Sequence, residues 1–353
     1  MLGREAHFIR ETDPPLPNTR DNQSHQNLGS KMVGTLKKPT NGEDLPLNWF
    51  TLKAMMRATS NFALKNCVGQ GQNGIVYHGR LPDGTSIAIK KFKPNSADPE
   101  KSVLTELKVQ QAISQLSHPD VRLLLGVSFD PKDPFIVYEY LPRGSLRQHL
   151  QGKKGDHLLN DAYARLNVAI DVANALCQLH YNSRFPIYHR DVKSSNVLVD
   201  ADHRAKLADM GIAVVVKSDA DLNVDVPLGA FGYKCPVYEE SGRLDDKSDV
   251  YSFGVVLMEL ATCLTAWDPK RPVTLLANVV MDRLQRGVAG NLIKPGKVAG
   301  GGLLMKAVLL LAARCCSLEL PSRPRMDEVA NGLMAMLDTD FEKMEEECFS
   351  QRR

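Results

Sequence analysis

Long apolar runs are absent from this chain of 353 residues. A helix that spans a bilayer needs roughly 18 to 20 apolar residues in succession, whereas the most continuous stretch, residues 303–313, is shorter and contains Lys306. The chain does not start with a basic segment followed by an apolar one, and residue 2 is Leu2, not a glycine that could be myristoylated. We therefore expect no transmembrane segment and a cytoplasmic location, either free or peripheral at the plasma membrane.

Regularly spaced cysteines are lacking as well. The seven cysteines show no C-x-x-C spacing, which disfavours a zinc site and a disulfide framework, and we expect Cys315 and Cys316 to pack in the core. A formal net charge of +3 is too small to indicate a nucleic-acid partner. With 43% hydrophobic residues, the chain is long enough for two hydrophobic cores and flanking tails.

Residues 189–196 read H-R-D-V-K-S-S-N and are the most informative segment. Asp191 can accept a proton from a hydroxyl, and Lys193 can neutralise charge on a phosphoryl group during its transfer. Asn196 and Asp209, which follows Asp191 by 18 residues (209 − 191 = 18), can hold Mg²⁺ against phosphates. This order and spacing of groups is typical of the catalytic loop of a protein kinase.

Upstream, residues 69–76 match the pattern G-x-G-x-x-G-x-V. By itself the pattern is weak, because similar glycines open the βαβ units that bind dinucleotides. Here a Pro-Asp-Gly turn at residues 82–84 and a second strand follow, which leaves no room for the helix of such a unit. We predict that Gly69, Gly71 and Gly74 cover phosphates as a β-hairpin loop.

The second strand of this hairpin ends near Lys90. Ile87 and Ile89 alternate with Ala88 and Lys90, so the latter two side chains point to the opposite face of the sheet from the isoleucines. We predict that this face borders the cleft and that Lys90 binds the α- and β-phosphates of a nucleotide.

Five further segments accompany these motifs: D-M-G at 209–211, D-V-Y-S-F-G at 249–254, R-P at 323–324, a lead-in at 50–62 and a hinge at 137–146. Together they resemble the plant receptor-like kinases related to Pelle, of the receptor-like cytoplasmic kinase type. The resemblance covers about residues 49–337. It implies an α+β, bilobal protein-kinase fold with a small antiparallel β lobe and a larger, mainly helical lobe.

The domain boundaries follow from this resemblance and from composition. We expect a kinase domain over residues 47–337, with the small lobe at about 62–138 and the large lobe at about 142–337. Residues 1–46 lack apolar periodicity and are predicted to be a disordered tail, and residues 338–353 are predicted to be an acidic tail. Apolar spacing of three and four residues predicts helices at 99–116, 162–180, 247–262 and 303–316.

The resemblance also implies that ATP binds between the lobes together with Mg²⁺. Its adenine ring would lie between three apolar side chains. The edge of the ring would hydrogen-bond to the hinge backbone in front of Tyr138. The residues implied are Val76, Ala88 and Leu198 for the ring, and Glu139 and Leu141 for the edge.

Lys193, at its spacing from Asp191, resembles the serine/threonine-specific pattern. The implied function is transfer of the γ-phosphate of ATP to protein hydroxyls in intracellular signalling. The implied partners are protein substrates and a membrane receptor complex, and no nucleic acid.

Three positions depart from the family pattern. Met210 replaces the usual phenylalanine, a swap that costs below about 1.5 kcal/mol because methionine is apolar, flexible and similar in size. Asn73 replaces an aromatic residue at the tip of the glycine loop, which should loosen the lid over the γ-phosphate. Ala230 stands where the family has threonine, so a hydroxyl that would contact Asp191 and Lys193 is missing.

A fourth departure concerns the glutamate that should pair with Lys90. Counting back the usual nine residues from His118 reaches Val109, whereas Glu106 is three residues earlier. Three helical residues amount to roughly 4.5 Å of rise and about 60° of rotation, too much for a direct substitute. Either three residues are inserted after Glu106, or the ion pair is absent.

Two hypotheses of different class remain. The first is an active serine/threonine kinase, supported by the presence of all five polar groups. The second is a weakly active or inactive pseudokinase that acts as a nucleotide-binding signalling scaffold, supported by Ala230, Asn73 and the position of Glu106. The five groups are Lys90, Asp191, Lys193, Asn196 and Asp209.

Val237 occupies the place of a family glutamate that pairs with the arginine matched here by Arg323. Stripping one partner from a buried ion pair costs about 3–5 kcal/mol. We therefore predict that Arg323 has a substitute partner, Glu239 or Glu240, or else reaches water.

Arg190 resembles the arginine that a phosphate neutralises in related kinases. Between Asp209 and residue 236, Ser218 and Tyr233 are the only hydroxyl residues, so we predict activation that depends little on phosphorylation. Asp225 could pair with Arg190 in place of a phosphate. Alternatively, Asp225 and its neighbours at 219 and 221 are solvated loop aspartates.

Overall fold

A computed structural model describes residues 33–35, 48–71, 74–93, 99–113, 124–128, 134–152, 158–341 and 343–344. Among these residues, no helix is both long and apolar enough to cross a membrane. Of the predicted tails at 1–46 and 338–353, only residues 33–35, 338–341 and 343–344 are described. The other residues of both tails lie outside the described part of the chain.

The small lobe contains one seven-stranded sheet with the spatial order β1-β2-β6-β7-β5-β4-β3. All neighbouring strands are antiparallel except β2 and β6, which are parallel. The predicted antiparallel small lobe is therefore confirmed. Its strands are β1 (Val33–Thr35), β2 (Asn48–Phe50), β3 (Cys67–Gln70), β4 (Gly74–Arg80), β5 (Ser86–Phe92), β6 (Leu124–Ser128) and β7 (Phe135–Glu139).

The hairpin of β4 and β5 is closed by the turn predicted from the sequence. The N–H of Gly84 donates to the carbonyl of Leu81 at 2.9 Å, and Gly84 has a φ of +89°, which an L side chain rarely adopts. Along β5, Ile87 and Ile89 are buried in the core on the outer face of the sheet. The alternate face carries Lys90 toward the cleft, as predicted.

The segment before the hairpin is part of the small lobe. Helix α1 (Leu52–Ala58) begins at Thr51, whose hydroxyl accepts from the N–H of Ala54 at 3.2 Å. Met55 of α1 is fully buried in the same core as Ile87. Strand β1, at Val33–Thr35 within the predicted tail of residues 1–46, pairs with β2 at the edge of the sheet.

The large lobe is mainly helical, as predicted. Two small sheets sit near the cleft: β8 (Gly144–Ser145), β10 (Val197–Val199) and β11 (Ala205–Leu207) form one, and β9 (Ile187–Tyr188) with β12 (Val214–Val215) forms the other. After α2 (Pro99–Ile113), which belongs to the small lobe, the helices are α3 (Leu146–Leu150), α4 (Ala162–Cys177), α5 (Pro236–Ser241), α6 (Asp246–Thr262), α7 (Leu276–Gln285), α8 (Gly301–Cys315) and α9 (Met326–Leu337).

The helix boundaries differ slightly from the predicted ones. Helix α4 ends at Cys177 and not at 180, because the chain continues as a π-helical turn at Gln178–Asn182. Helix α2 is described to Ile113, and the predicted end at 116 lies outside the described residues.

Helix α6 forms the centre of the large-lobe core. All its residues from 248 to 262 are buried. It packs closely on α8 at Gly254, where a Cβ atom would lie 2.7 Å from Cβ of Cys315 and 2.8 Å from Sγ of Cys316. Both cysteines are buried, so their predicted role in core packing is confirmed.

Candidate active site

The catalytic loop is held by hydrogen bonds to a buried carboxylate, Asp249, in the first turn of α6. The backbone N–H groups of His189 and Arg190 donate to Asp249 at 2.7 and 2.8 Å, and His180 donates from Nε2 at 2.9 Å. Burial alone would raise the pKa of Asp249, but the hydrogen bond from His180 and its charge lower it below the ordinary value. This role of Asp249 was not predicted, although the residue opens the D-V-Y-S-F-G segment at 249–254.

Three of the predicted polar groups meet in this loop. Lys193 donates from Nζ to Oδ2 of Asp191 at 2.5 Å. Asn196 donates from Nδ2 to the carbonyl of Asp191 at 2.9 Å and to its Oδ2 at 3.1 Å. The Asp191 carboxylate is thus held between a cation and an amide.

The surroundings of Asp191 favour proton acceptance. Burial raises its pKa above the ordinary value, while the nearby ammonium of Lys193 opposes the shift. A carboxylate with a raised pKa is a better general base near neutral pH than a fully solvated one. His189 is buried and donates from Nε2 to the carbonyl of Ala208 at 3.2 Å, which is a structural role.

Lys90 connects the two lobes through two carboxylates. Its Nζ lies 3.3 Å from Oε1 of Glu106 on α2 and 2.5 Å from Oδ1 of Asp209. Gly211 lies against this cluster, since a Cβ there would be 3.3 Å from an oxygen of each carboxylate. The ion pair of Lys90 with Glu106 is therefore present, and the alternative of an absent pair is wrong. Residues 114–123, which separate α2 from β6, lie outside the described residues.

Charge is fixed within this cluster. Burial would raise the pKa of the Asp209 carboxyl, but the Lys90 ammonium lowers it to about 2. Burial would lower the pKa of Lys90, yet Asp209 and Glu106 raise it above the ordinary value. Asp209 remains 36% exposed, so an ionised carboxylate faces the cleft at neutral pH.

Tyr138 provides a second partner for Glu106. Its hydroxyl donates to Oε2 of Glu106, and both side chains are buried. They line a small cavity that also includes Val109 and Met210. This contact of Tyr138 was not predicted, because β7 and α2 are far apart in the chain and no local spacing indicates it.

The hinge is tied to the large-lobe sheet beneath it. Ala88 pairs with Tyr138 across β5 and β7, and Leu198 pairs with Ser145 just after the hinge. Glu139 accepts from Nζ of Lys206 on β11 at 2.9 Å. The topology thus brings Ala88 and Leu198 to the hinge from opposite lobes.

The glycine loop is a tight hairpin. Gly69 pairs with Val76, and the N–H of Gly71 donates to the carbonyl of Gly74 at 2.9 Å. Lys93 donates from Nζ to the carbonyl of Gly71 at 2.7 Å. Asn73 at the tip lies outside the described residues.

Residues 62–333 match a family model described as protein tyrosine and serine/threonine kinase. The match covers more than half of the chain and includes both lobes. The chain belongs to the protein kinase family.

The kinase domain is similar to plant receptor kinases. Wall-associated receptor kinase-like 21 of Arabidopsis thaliana is 38% identical over 294 residues, with 81% of this chain and 47% of the relative covered. Wall-associated receptor kinase 1 of the same plant is 36% identical over 294 residues, with 81% and 39% covered. A probable receptor-like protein kinase of that plant is 37% identical over 294 residues, with 81% and 59% covered. This kinase is thus of the plant receptor-like group, and the chain spans about half the length of the curated relatives it matches.

Arg323 of the kinase domain is buried and satisfied by uncharged groups. Its guanidinium donates to the carbonyl of Ser317 at 2.6 and 3.0 Å and to the carbonyl of Lys247 at 2.7 Å. It also contacts Sγ of Cys235 at 3.2 Å. These acceptors replace the missing glutamate.

The predicted acidic partners of Arg323 are wrong. Glu239 pairs with Lys234 at 2.5 Å instead, and Glu240 is exposed. The alternative prediction, that Arg323 reaches water, is wrong too, because Arg323 is only 1% exposed. Backbone carbonyls of two chain segments, at Ser317 and Lys247, accept from Arg323 in place of a carboxylate.

Arg190 is held by a phenol and not by a carboxylate. Its Nε and Nη2 donate to the hydroxyl of Tyr238 at 3.2 and 2.9 Å, and its Nη1 donates to the carbonyl of Ile212 at 3.3 Å. The predicted pair of Arg190 with Asp225 is therefore wrong. Asp225 is exposed, so the alternative of a solvated aspartate holds.

The loop hydroxyl of Ser218 is used locally. Its N–H and Oγ donate to Oδ2 of Asp221 at 2.8 and 3.1 Å. The backbone hydrogen bonds lower the pKa of Asp221. These bonds close a short turn at the surface.

A buried polar chain supports the segment that carries Ala230. Tyr233 donates to Oε2 of Glu259 on α6 at 2.8 Å, and its hydroxyl lies 2.8 Å from Oγ of Ser194. Arg147 approaches the other oxygen of Glu259 at 3.5 Å. The missing threonine hydroxyl at Ala230 therefore leaves this link to the catalytic loop intact.

Proposed function

We propose that this protein is an active serine/threonine kinase that transfers the γ-phosphate of ATP to protein hydroxyls in intracellular signalling. The observation that carries the proposal is the Lys90–Glu106–Asp209 cluster, because an ion pair between the lobes orients phosphates only when both lobes are in their working positions.

Each polar group has a chemical role in this proposal. Lys90 binds the α- and β-phosphates. Asp191 accepts the proton of the attacking hydroxyl while the new P–O bond forms and the bond to the ADP oxygen breaks. Lys193, in contact with Asp191, neutralises charge on the moving phosphoryl group.

Two residues fit a magnesium ion. Asp209 is ionised because of its lowered pKa and is partly open to the cleft. Asn196 uses Nδ2 on Asp191, which leaves its Oδ1 without a hydrogen bond among the described residues. Within the same part of the chain, no three His, Cys, Asp or Glu side chains form a metal site of their own. Mg²⁺ commonly takes one or two protein oxygens together with substrate phosphates, and it would supply positive charge there.

The nucleotide site is proposed from the positions around the hinge. The adenine ring would lie between Ala88, Val76 and Leu198, with the backbone of Glu139 and Leu141 at its edge. Gly69, Gly71 and Gly74 would cover the phosphates. The support is that β5 pairs with β7, which leads into the hinge, and that β10 pairs with β8 just after the hinge.

Specificity, location and partners belong to the proposal too. Serine/threonine specificity rests on Lys193 in contact with Asp191. The named relatives are receptor kinases, which supports protein substrates and a membrane receptor complex as partners, and a cytoplasmic location, free or peripheral at the plasma membrane.

Two departures still favour the scaffold reading: Asn73, which lies outside the described residues, and Ala230. Ala230 offers no hydroxyl to Asp191 and Lys193, whereas the family threonine would. The argument from Glu106 no longer supports it, because the ion pair is present.

The deciding experiment is phosphoryl transfer by purified protein with ATP and Mg²⁺, measured beside nucleotide binding. Asp191→Asn should bind nucleotide within a few-fold of wild type and lose transfer, since Asp191 acts only on the hydroxyl. Equal transfer by both proteins would refute the role of Asp191. Nucleotide binding without transfer by wild type would leave the scaffold reading.

A further inference from the structure

Two aromatic rings meet beside the hinge. The imidazole of His78 on β4 stacks on the phenol ring of Tyr140, with centroids 4.0 Å apart and an angle of 27° between the ring planes. Tyr140 directly follows β7 and lies between Glu139 and Leu141, the two residues whose backbone is proposed to bind the edge of adenine. Because stacked rings attract each other, this contact holds the hinge at the residue between its two proposed binding groups.

The strand register places His78 on the face of the sheet that borders the cleft. His78 pairs with Ala88, and Val76 pairs with Lys90, across β4 and β5. Residues two apart on a strand, and residues directly opposite each other on neighbouring strands, point to the same face. Since Lys90 points into the cleft toward Asp209, His78 lies on the same face as the two side chains proposed to enclose adenine.

The stack joins two strands that are not neighbours. In the sheet, β5 lies between β4 and β7, so roughly 9–10 Å separates the backbones of β4 and β7. On the cleft face of β5 the residues beside the rings are Ser86 and Ala88, whose small side chains leave room for them. Within the described residues, backbone pairing connects β4 to β7 only through β5. The stack therefore links the strand of the glycine loop directly to the hinge.

His78 is uncharged at neutral pH. Its Nε2 is shielded from solvent and has no hydrogen-bond partner among the described residues. Burial, and secondly the positive charge of Arg80 on the same strand, lower the pKa of His78 below its ordinary value of 6.5. On β5 the neighbouring side chains are uncharged. On the hinge side Tyr140 is a phenol, and the carboxylate of Glu139 is paired with Lys206 at 2.9 Å.

We propose that the stack of His78 on Tyr140 holds the glycine-loop strand and the hinge at the spacing that ATP needs, which makes His78 a positioning residue of the nucleotide site. The inference rests on the proposed function, from which it takes the place of the adenine ring. His78 acts through Tyr140 on the hinge backbone and through β4 on Val76. Loss of either ring leaves the two sides of the site free to separate and weakens ATP binding.

The test measures the dissociation constant of ATP with Mg²⁺ by calorimetry on the whole protein at about pH 7.5. His78→Ala and Tyr140→Ala should each raise this constant by roughly two- to tenfold, the range that an aromatic pair contributes. The double variant should bind no more weakly than the weaker single variant, because either change already removes the stack. His78→Phe, which retains a ring, should bind like wild type.

His203→Asn is the matched control for the loss of an imidazole. His203 is exposed on the turn between β10 and β11. Its φ of +65° is a conformation that asparagine tolerates. This variant should bind ATP with the wild-type dissociation constant.

The pH dependence of binding separates a positioning role from packing alone. A base whose pKa is lowered in the stack takes up a proton more easily once the stack opens, so opening becomes easier as pH falls below 6.5. Between about pH 7.5 and 5.5, the dissociation constant of wild type should therefore rise more steeply than that of His78→Phe. All other titrating groups, those of ATP included, are common to both proteins. His203→Asn should follow wild type.

Three results would overturn the inference while leaving the kinase function standing. They are wild-type affinity in alanine variants that have only lost stability, additive losses in the double variant, and parallel pH profiles of wild type and His78→Phe. The pH profiles decide the matter even where an alanine variant does not fold. Wild type that binds ATP but transfers no phosphate would refute the kinase proposal and leave the inference intact, whereas wild type that binds no ATP would refute both.

Discussion

The hydroxyl of Tyr138 donates a hydrogen bond to the carboxylate of Glu106, the same carboxylate that pairs with Lys90. The strand that leads into the hinge is thereby linked to helix α2. Both oxygens of Glu106 have a partner, one cationic and one neutral. The position of α2 thus depends on the hinge strand as well as on the lysine.

Replacing Tyr138 with phenylalanine should weaken this link. One oxygen of a buried carboxylate loses its donor, and a hydrogen bond to a charged group contributes about 1.5–3 kcal/mol. We expect a lower free energy of unfolding and weaker nucleotide binding. Tyr140→Phe is the matched control, because Tyr140 stacks on His78 with centroids 4.0 Å apart and its ring is kept. Equal effects of the two substitutions would show that the hydroxyl of Tyr138 contributes neither to the free energy of unfolding nor to nucleotide binding.

Glu259 should make the stability of the protein fall as pH rises through the weakly acidic range. Burial raises its pKa from 4.5 to about 7, although Tyr233 and Arg147 oppose the shift. Between these values the native state holds a proton that the unfolded state has released, so the free energy of unfolding decreases from about pH 4.5 to 7. The full difference is at most about 3 kcal/mol.

Glu259→Gln should remove that part of the pH dependence. Denaturant unfolding at several pH values between 4.5 and 8 measures it, with the exposed Glu240→Gln as the control that keeps the wild-type slope. A Glu259→Gln profile parallel to wild type would mean that the carboxyl does not titrate in this window.

Transfer activity should not require a phosphate on Ser218. The guanidinium of Arg190 is already bound by Tyr238 and Ile212, and Ser218 is engaged with Asp221. We expect Ser218→Ala and Asp225→Asn to keep transfer close to the wild-type rate, since neither side chain contacts Arg190. Tyr238→Phe should lower it, because two donors of Arg190 lose their acceptor.

Kinetics with pre-dephosphorylated protein check this prediction. Tyr163→Phe serves as the control, since its hydroxyl makes no hydrogen bond among the described residues. Loss of transfer by Ser218→Ala together with wild-type transfer by Tyr238→Phe would contradict this prediction. It would indicate that transfer depends on a phosphate at Ser218 and not on the contact of Tyr238 with Arg190.

Much of the site could be predicted from sequence because local spacing determines it. Asp191, Lys193 and Asn196 are close in the chain, and a loop of this pattern brings them together. The hairpin that contains Lys90 could be predicted in the same way. Its alternation of side chains and its turn at 82–84 are local features of the sequence. The fold class was implied by the resemblance to plant receptor-like kinases that these motifs carry.

The partners of isolated charges could not be predicted in this way. Arg190 and Arg323 were assigned carboxylates, because opposite charge was the only guide available in the sequence. In the structure they use a phenol 48 residues away and a carbonyl 76 residues away. A carbonyl acceptor carries no sequence signature, since every residue has a carbonyl. Whether Glu106 meets Lys90 also depended on the course of the chain after α2.

Gly254 should tolerate no side chain. A Cβ there would lie 2.7 Å from Cβ of Cys315 and 3.0 Å from the carbonyl oxygen of Ala312, so Gly254→Ala must push α6 away from α8. Overpacking of this kind costs about 1–3 kcal/mol. Gly332 of α9 is the matched control, because its added Cβ would meet only Cδ2 of Leu311 at 3.6 Å. There alanine should stabilise the helix by about 0.5–1 kcal/mol. Denaturant unfolding of both variants should therefore shift in opposite directions, and a shift of Gly254→Ala toward higher stability would contradict the close packing of the two helices.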